Sequence, residues 1–113
     1  MPVKSAGQKI YEAVKRWEEI KDAPHRFGGT EFRVGRREVG HVHGDSLVDI
    51  PFPLYVRDEV VKSGEAEPHH ILPKSGWVSV FLRKPNDVER AIRLLRRSYE
   101  IALVSQSRSA QPA

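Results

Sequence analysis

At 113 residues and 12.9 kDa the chain has room for one hydrophobic core, and a hydrophobic fraction of 39% with 30% charged residues fits an ordinary globular domain. It has no cysteine, which excludes disulfides, thiolate nucleophiles and thiolate metal ligands, and no apolar run approaches the roughly 18 to 20 residues of a membrane-spanning helix. A net charge of +4 and a pI of about 9.6 are compatible with an anionic partner without requiring one, because 19 basic residues stand against 15 acidic ones.

The first periodic segment, Ser5 to Lys21, places Ile10, Val14, Trp17 and Ile20 on one helical face, and Ser5 with Gln8 has the spacing of a capping box. Pro24, Gly28 and Gly29 interrupt this pattern. Phe32 and Val34 then alternate with Glu31 and Arg33 as in a half-buried strand that ends at Gly35. Two further strand-like runs, Glu38 to His43 and Ser46 to Ile50, flank Gly44-Asp45, a dipeptide suited to a two-residue hairpin turn because glycine accepts positive φ. Pro51, Phe52 and Pro53 stop the third strand, and Pro53 opens a short helix reaching Ser63 with Gly64 as its stop. His70 to Leu72 and Trp77 to Leu82 read as two more strands, joined by the turn Pro73-Lys74-Ser75-Gly76. In the last helix Val88, Ala91, Ile92, Leu95, Tyr99 and Ala102 trace one face behind a capping box of Asn86 and Glu89. The expectation is a single α+β domain over residues 5 to 103 in the order α-β-β-β-α-β-β-α, an antiparallel sheet of about five strands covered by helices. The segment 104 to 113, with almost nothing apolar to bury, is expected to be a flexible tail. The amino-terminal MPVKSAGQK lacks the apolar stretch of a secretory signal, so a cytoplasmic location and no membrane partner are expected.

A turn centred on Gly44-Asp45 pairs His43 with Ser46, Val42 with Leu47, His41 with Val48 and Gly40 with Asp49. In that register His41 and His43 share a face with Val39, Ser46, Val48 and Ile50, while Asp49 points the other way. The local polar set is therefore His41, His43 and Asp45. Two histidines at i, i+2 on a strand can bind a divalent metal, with His69 or His70 as a third ligand; the metal set drawn from this pattern is His41, His43 and His70. The same residues also fit two other readings. His41 could be a core histidine and Asp45 a plain turn former, or the cluster could form a metal-free acid/base or anion site.

Ser75 beside histidines raises a nucleophile reading, but no G-x-S-x-G elbow is present and Pro-Lys-Ser-Gly is ordinary hairpin-loop composition. Trp77 is either a core anchor or the wall of a pocket. On the last helix Arg90, Arg93 and Arg97 share a face with Arg96 beside it, and Arg83 and Lys84 lead in. A nucleic-acid interface there has electrostatic support only, since the aromatic-glycine motif of RNA-binding sheets and zinc-finger spacing are missing.

The stretches REVGHVHGDSLVDIPFP, VRDEVVKSGEAEPHH, LPKSGWVSVFLR and AIRLLRRSYE resemble the small proteins of the luciferase-domain family, over roughly Phe27 to Glu100. The most specific parts are Gly40-His41-x-His43 with Asp49-Ile50-Pro51-Phe52, then His69-His70, then Ser75-Gly76-Trp77. The family name implies light emission; no flavin- or nucleotide-binding motif accompanies it here. The element order is also similar to small α+β domains of the bacterial YjbR-like type, an analogy of fold that implies a DNA-binding alternative. Two expectations follow. One is a small-molecule or anion site with His41, His43, Asp45, His69, His70, Ser75 and Trp77 as candidates. The other is a nucleic-acid or protein-binding module using the basic last helix.

Overall fold

Apolar residues recurring along two helices and alternating along the strands meet over one core. The computed structural model of the chain describes residues 4–25 and 28–110. Its elements are α1 (Ala6–Val14), β1 (Ile20–Pro24), β2 (Thr30–Val34), β3 (Arg37–His43), β4 (Leu47–Pro51), α2 (Leu54–Lys62), β5 (Glu67–Pro68), β6 (Trp77–Phe81) and α3 (Pro85–Ala110). The fold is α+β, as expected, and the sheet is open and antiparallel with strand order β1-β2-β3-β4-β6-β5. One face of the sheet buries Phe32, Val34, Val42, Val48, Ile50, Val78 and Val80 with Ile10 and Val14 of α1 and Leu95 of α3. Each such side chain contributes about 1.5–3 kcal/mol, so this face holds the sheet to its helices. No helix among the described residues is long and apolar enough to cross a membrane.

The sheet has six strands rather than about five because the first helix is shorter than its periodicity suggests. It ends at Val14, Glu19 takes a left-handed φ of 67°, and Ile20 to Pro24 form the edge strand β1. Trp17, expected on the helix, instead packs on Tyr99 of α3 with ring centroids 5.1 Å apart, and this tertiary contact overrides local propensity. Neither expected capping box forms. Ser5 itself is left-handed and makes no side-chain cap bond, while Asp45 Oδ1 accepts the Gly7 amide proton at 2.8 Å from 38 residues away. At α3 the cap falls to Asp87, whose Oδ2 accepts the amides of Arg83 and Lys84 at 2.8 and 2.7 Å. His70 to Leu72, read as a strand, lie in a loop; only Glu67–Pro68 pair there with β6. The helix α3 continues past Leu103 to Ala110, and Gln106 lies over Gly35 of the β2–β3 turn; residues 111–113 of the expected tail lie outside the described residues.

Two irregularities decide which side chains reach the open face of the sheet. The first is the hairpin connection, which uses three residues, Gly44 to Ser46, instead of two. Asp45 is held by α1, and the Ser46 carbonyl accepts the Leu82 amide at 2.9 Å, so the loop cannot tighten. The register therefore pairs His43 with Leu47, Val42 with Val48 and His41 with Asp49. A slip of one residue reverses every side chain of β4. Val48 and Ile50 turn to the helices, and Asp49 joins His41 and His43, contrary to the expected register. The second irregularity is a β-bulge in β3, where Phe32 pairs with Gly40 but Arg33 with Glu38, leaving Val39 as the extra residue. Val39 enters the core, its carbonyl accepts the Ser98 hydroxyl at 2.8 Å, and Glu38 is set on the same face as His41. Gly40 is required beside the bulge, since a Cβ would stand 2.6 Å from Leu95 Cδ2 and 2.9 Å from the Asp49 carbonyl oxygen. Lateral pairing now aligns Ala23, Glu31, His41, Asp49, Ser79 and Glu67 in one row across all six strands.

The Asp45 cap is testable on its own. Asp45→Ala should cost about 1 kcal/mol of stability in urea unfolding, and Asp45→Asn should retain most of it.

Candidate functional site

Asp49 is 1% exposed in the middle of the open face, and a carboxylate so placed must be matched by donors. Ser79 on β6, its lateral neighbour, donates its hydroxyl to Oδ1 at 2.7 Å. Around Oδ2 stand three imidazole nitrogens: His41 Nε2 at 3.2 Å, His43 Nε2 at 3.1 Å and His69 Nε2 at 3.4 Å. The strand period brings His41 and His43 to one side, and the loop after β5 brings His69 to the other.

His41 is 7% exposed and sits between two carboxylates, because its Nδ1 lies 2.6 Å from Glu38 Oε2. Burial alone would push this imidazole down; the hydrogen bonds to Asp49 and Glu38 outweigh burial and raise its pKa to about 9. Burial likewise pushes Asp49 up, and the bonds from His41 and Ser79 reverse that and lower its pKa to about 2. His69 is lowered by burial, with Asp49 opposing. Its Nδ1 accepts the amide protons of Ile71 and Leu72, both at 3.1 Å, so in the neutral ring the proton resides on Nε2, facing Asp49.

Above these groups lies a cleft of about 600 Å³. His25, His43 and His70 form its polar walls, and Ile71, Leu72 and Trp77 its apolar side. His25 stacks on His41 with centroids 4.0 Å apart, Trp77 stands 5.2 Å from His41, and the exposed His70 stacks on His69 at 4.5 Å. The loop carrying Ile71 and Leu72 is anchored at several points. Arg57 of α2 donates to the Pro73 carbonyl, and Ser75 Oγ donates to the Leu72 carbonyl at 2.7 Å while accepting the Trp77 amide at 3.1 Å. Phe52 donates its amide to the Gly76 carbonyl at 3.0 Å, an approach so close that a Cβ on Gly76 would collide with the Phe52 carbonyl oxygen.

Of the residues singled out in the sequence, His41, His43, His69 and Trp77 are brought together, with His70 at the rim. Asp45 is turned to α1 and does not orient the histidines, and the Ser75 hydroxyl closes its own loop. Sequence reasoning missed Asp49, Glu38, Ser79 and His25. The chain did hold one sign of Asp49, a lone carboxylate inside the apolar run Leu-Val-Asp-Ile-Pro, which needs internal partners. The basic residues lie elsewhere. Arg90 pairs with Asp87, Arg93 with Glu65 at 3.6 Å, Arg96 with Glu100 at 3.4 Å, Arg97 with Glu59 at 2.7 Å and Arg83 with Glu67 at 3.4 Å. Neither these arginines nor Lys84 lines the cleft.

Three sets of side chains among the described residues bring ligand atoms within 4.8 Å of one another: His25-Glu38-His41, His41-His43-Asp49 and Asp49-His69-His70. In the first, the near-parallel rings of His25 and His41 direct their in-plane lone pairs alongside each other rather than to one point. In the third, the His69 Nδ1 lone pair is taken by two amides and Nε2 carries the proton. In the His41-His43-Asp49 set the two rings stand at 90°, and His41 Nδ1 can keep its proton for Glu38 while Nε2 gives up the one it shares with Asp49.

Fold and site together define a small α+β domain with a histidine- and carboxylate-lined cleft on the open face of an antiparallel sheet. Residues 36–98 match the luciferase-domain family, and the chain belongs to that family. No curated protein and no solved structure matches it. The matched span runs from β3 into α3 and holds every residue of the cluster except His25.

The two shifted groups set a pH dependence in chelator-treated protein. An imidazole raised from 6.5 to about 9 on folding contributes fully below pH 6.5 and loses that contribution as the pH climbs to 9. A carboxylate lowered from 3.8 to about 2 contributes fully above pH 3.8 and loses it as the pH falls towards 2. Stability from this pair should therefore peak between these limits and decline by up to about 3 kcal/mol on the alkaline side. His41→Gln should flatten that limb in urea unfolding. A wild-type curve level from pH 6.5 to 9 would show that His41 is not held between two carboxylates.

Proposed function

We propose that the cleft is a divalent-metal centre with His41 Nε2, His43 Nε2 and Asp49 Oδ2 as its protein ligands, open on the cleft side to a small molecule. The observation that carries this reading is the convergence of two imidazole nitrogens, at 3.2 and 3.1 Å, on one oxygen of a buried carboxylate. Ligands about 2.0–2.1 Å from an ion stand about 2.9 Å apart in an octahedron and about 3.3 Å apart in a tetrahedron, and the observed separations fall between. Outer partners of the usual kind support it: Glu38 holds His41 Nδ1, and Ser79 holds Asp49 Oδ1, leaving Oδ2 for the ion. Asp49 replaces His70 as the third ligand of the set expected from sequence.

Charge favours a cation over an anion here. Arg33, 3.9 Å from Glu38, is offset by its other partner Glu31, so Glu38 and Asp49 stand against the one imidazolium of His41; an anion would deepen this imbalance while a divalent ion removes it. Coordination through His41 Nε2 releases the proton that this nitrogen shares with Asp49. Three protein ligands leave positions for water or a bound compound, the arrangement of catalytic rather than structural centres. Polyanion binding by α3 has less support, because Arg83, Arg90, Arg93, Arg96 and Arg97 each face a carboxylate of the same chain.

Calorimetric titration of chelator-treated protein with Zn²⁺, Co²⁺ and Ni²⁺ should show one site per chain and a rise in Tm. His43→Ala and Asp49→Asn should weaken binding by about tenfold or more, and His70→Ala should leave it unchanged. Absence of any Tm shift at millimolar metal, or a shift that survives His43→Ala, would overturn the reading. His43 is 30% exposed, so its variant reports even if the change at buried Asp49 impairs folding.

A further inference from the structure

The walls of the cleft define the class of compound that would reach the metal. Resting on the metal reading above, we propose that the site takes a small molecule with a singly ionised, chelating two-oxygen head, such as a hydroxamic acid or an enolised 1,3-dicarbonyl, on an apolar body.

The charge of the head follows from what surrounds it. Among the described residues the cleft is lined by histidines, Asp49 and apolar side chains, with no lysine or arginine. Once His41 is a neutral ligand, and with the charge of Arg33 offset by Glu31, the carboxylates of Glu38 and Asp49 already balance a divalent ion. A phosphate or dicarboxylate would bring two or more negative charges where no lysine or arginine among the described lining residues answers them, whereas a singly ionised head brings one. Its proton leaves to solvent on binding. With three positions taken by protein, adjacent positions remain on an octahedral ion for a two-oxygen chelate.

The apolar body follows from the opposite wall. Ile71 and Leu72 are 71% and 50% exposed, yet their loop is fastened by Arg57, Ser75, Gly76 and His69, so these side chains are held out at the cleft instead of collapsing into the core. Trp77 extends the same wall. Apolar surface presented rigidly beside a few convergent polar groups is what a small-molecule site needs, and about 600 Å³ lies within the range of such sites.

Two probes with one head isolate the wall. Cobalt-loaded protein is titrated with acetohydroxamate, benzohydroxamate and inorganic phosphate, following the visible spectrum of Co²⁺. Benzohydroxamate should bind about tenfold more tightly than acetohydroxamate, and Ile71→Ser with Leu72→Ser, both exposed and safe for folding, should reduce that ratio to about threefold while leaving Co²⁺ affinity unchanged. Phosphate should not perturb the spectrum at concentrations where the hydroxamates saturate. Equal affinity for the two hydroxamates, a ratio indifferent to the loop substitutions, or phosphate binding as tightly as either would overturn the proposed class with the metal reading intact. Failure of Co²⁺ to bind at all would overturn the metal reading and this proposal with it.

Discussion

A carboxylate in the centre of a sheet, shut off from water, is the constraint on which the open face of this protein depends. Asp49 requires donors on both oxygens, and each one comes from a different part of the chain: β3 supplies His41 and His43, β6 supplies Ser79, and the loop after β5 supplies His69. Those donors in turn need fixing. Glu38 fixes His41 through the bulge, and two loop amides fix His69. Replacing a buried ionic cluster by apolar side chains is often neutral or stabilising in proteins, so such a network is a poor way to hold a sheet together. The helix-covered face already does that with its aliphatic residues. What the network achieves is position: three nitrogens and an oxygen are held within hydrogen-bonding distances around one point.

The two faces of the sheet accordingly carry different duties. Even-numbered positions of β4 and β6, Val48, Ile50, Val78 and Val80, serve the core, and the odd-numbered Asp49, Trp77 and Ser79 serve the cleft. The strand order β3-β4-β6 keeps this polar strip in mid-sheet, where neighbouring strands exclude water from its backbone. His25, from the end of β1, reaches the cluster from outside the span that matches the luciferase-domain family.

Much of the architecture was legible because it is periodic. The helix from Asn86 onwards, the short helix after Pro53 and the two strands around Gly44 repeat at 3.6 or 2 residues and stand where the pattern puts them. Register was not legible, because the loop that sets it is held by Gly7 and Leu82, neither of them near in sequence. Nor was the bulge, although glycine beside an alternating run hints at close backbone approach. The first error hid Asp49, since a two-residue turn turns it away from the histidines and a three-residue one towards them, and the second hid Glu38, which the bulge sets beside His41. The cluster of histidines could therefore be read from the chain, but its centre could not. The end of α1 and the loop over 70–72 eluded pattern reading for a related reason, since Trp17 is captured by Tyr99 and the amides of Ile71 and Leu72 by His69.

The bond from Ser79 to Asp49 also ties the site to the way the chain folds. The hairpin of β3 and β4 closes over a few residues and can form early, bringing two histidines to the carboxylate. Ser79 is 30 residues further on, beyond α2 and the loop, and arrives only when β6 zips onto β4. A form that lacks β6 would keep His41, His43 and Asp49 together on one hairpin but would lack the Ser79 bond that orients the carboxylate and the Trp77 wall of the cleft.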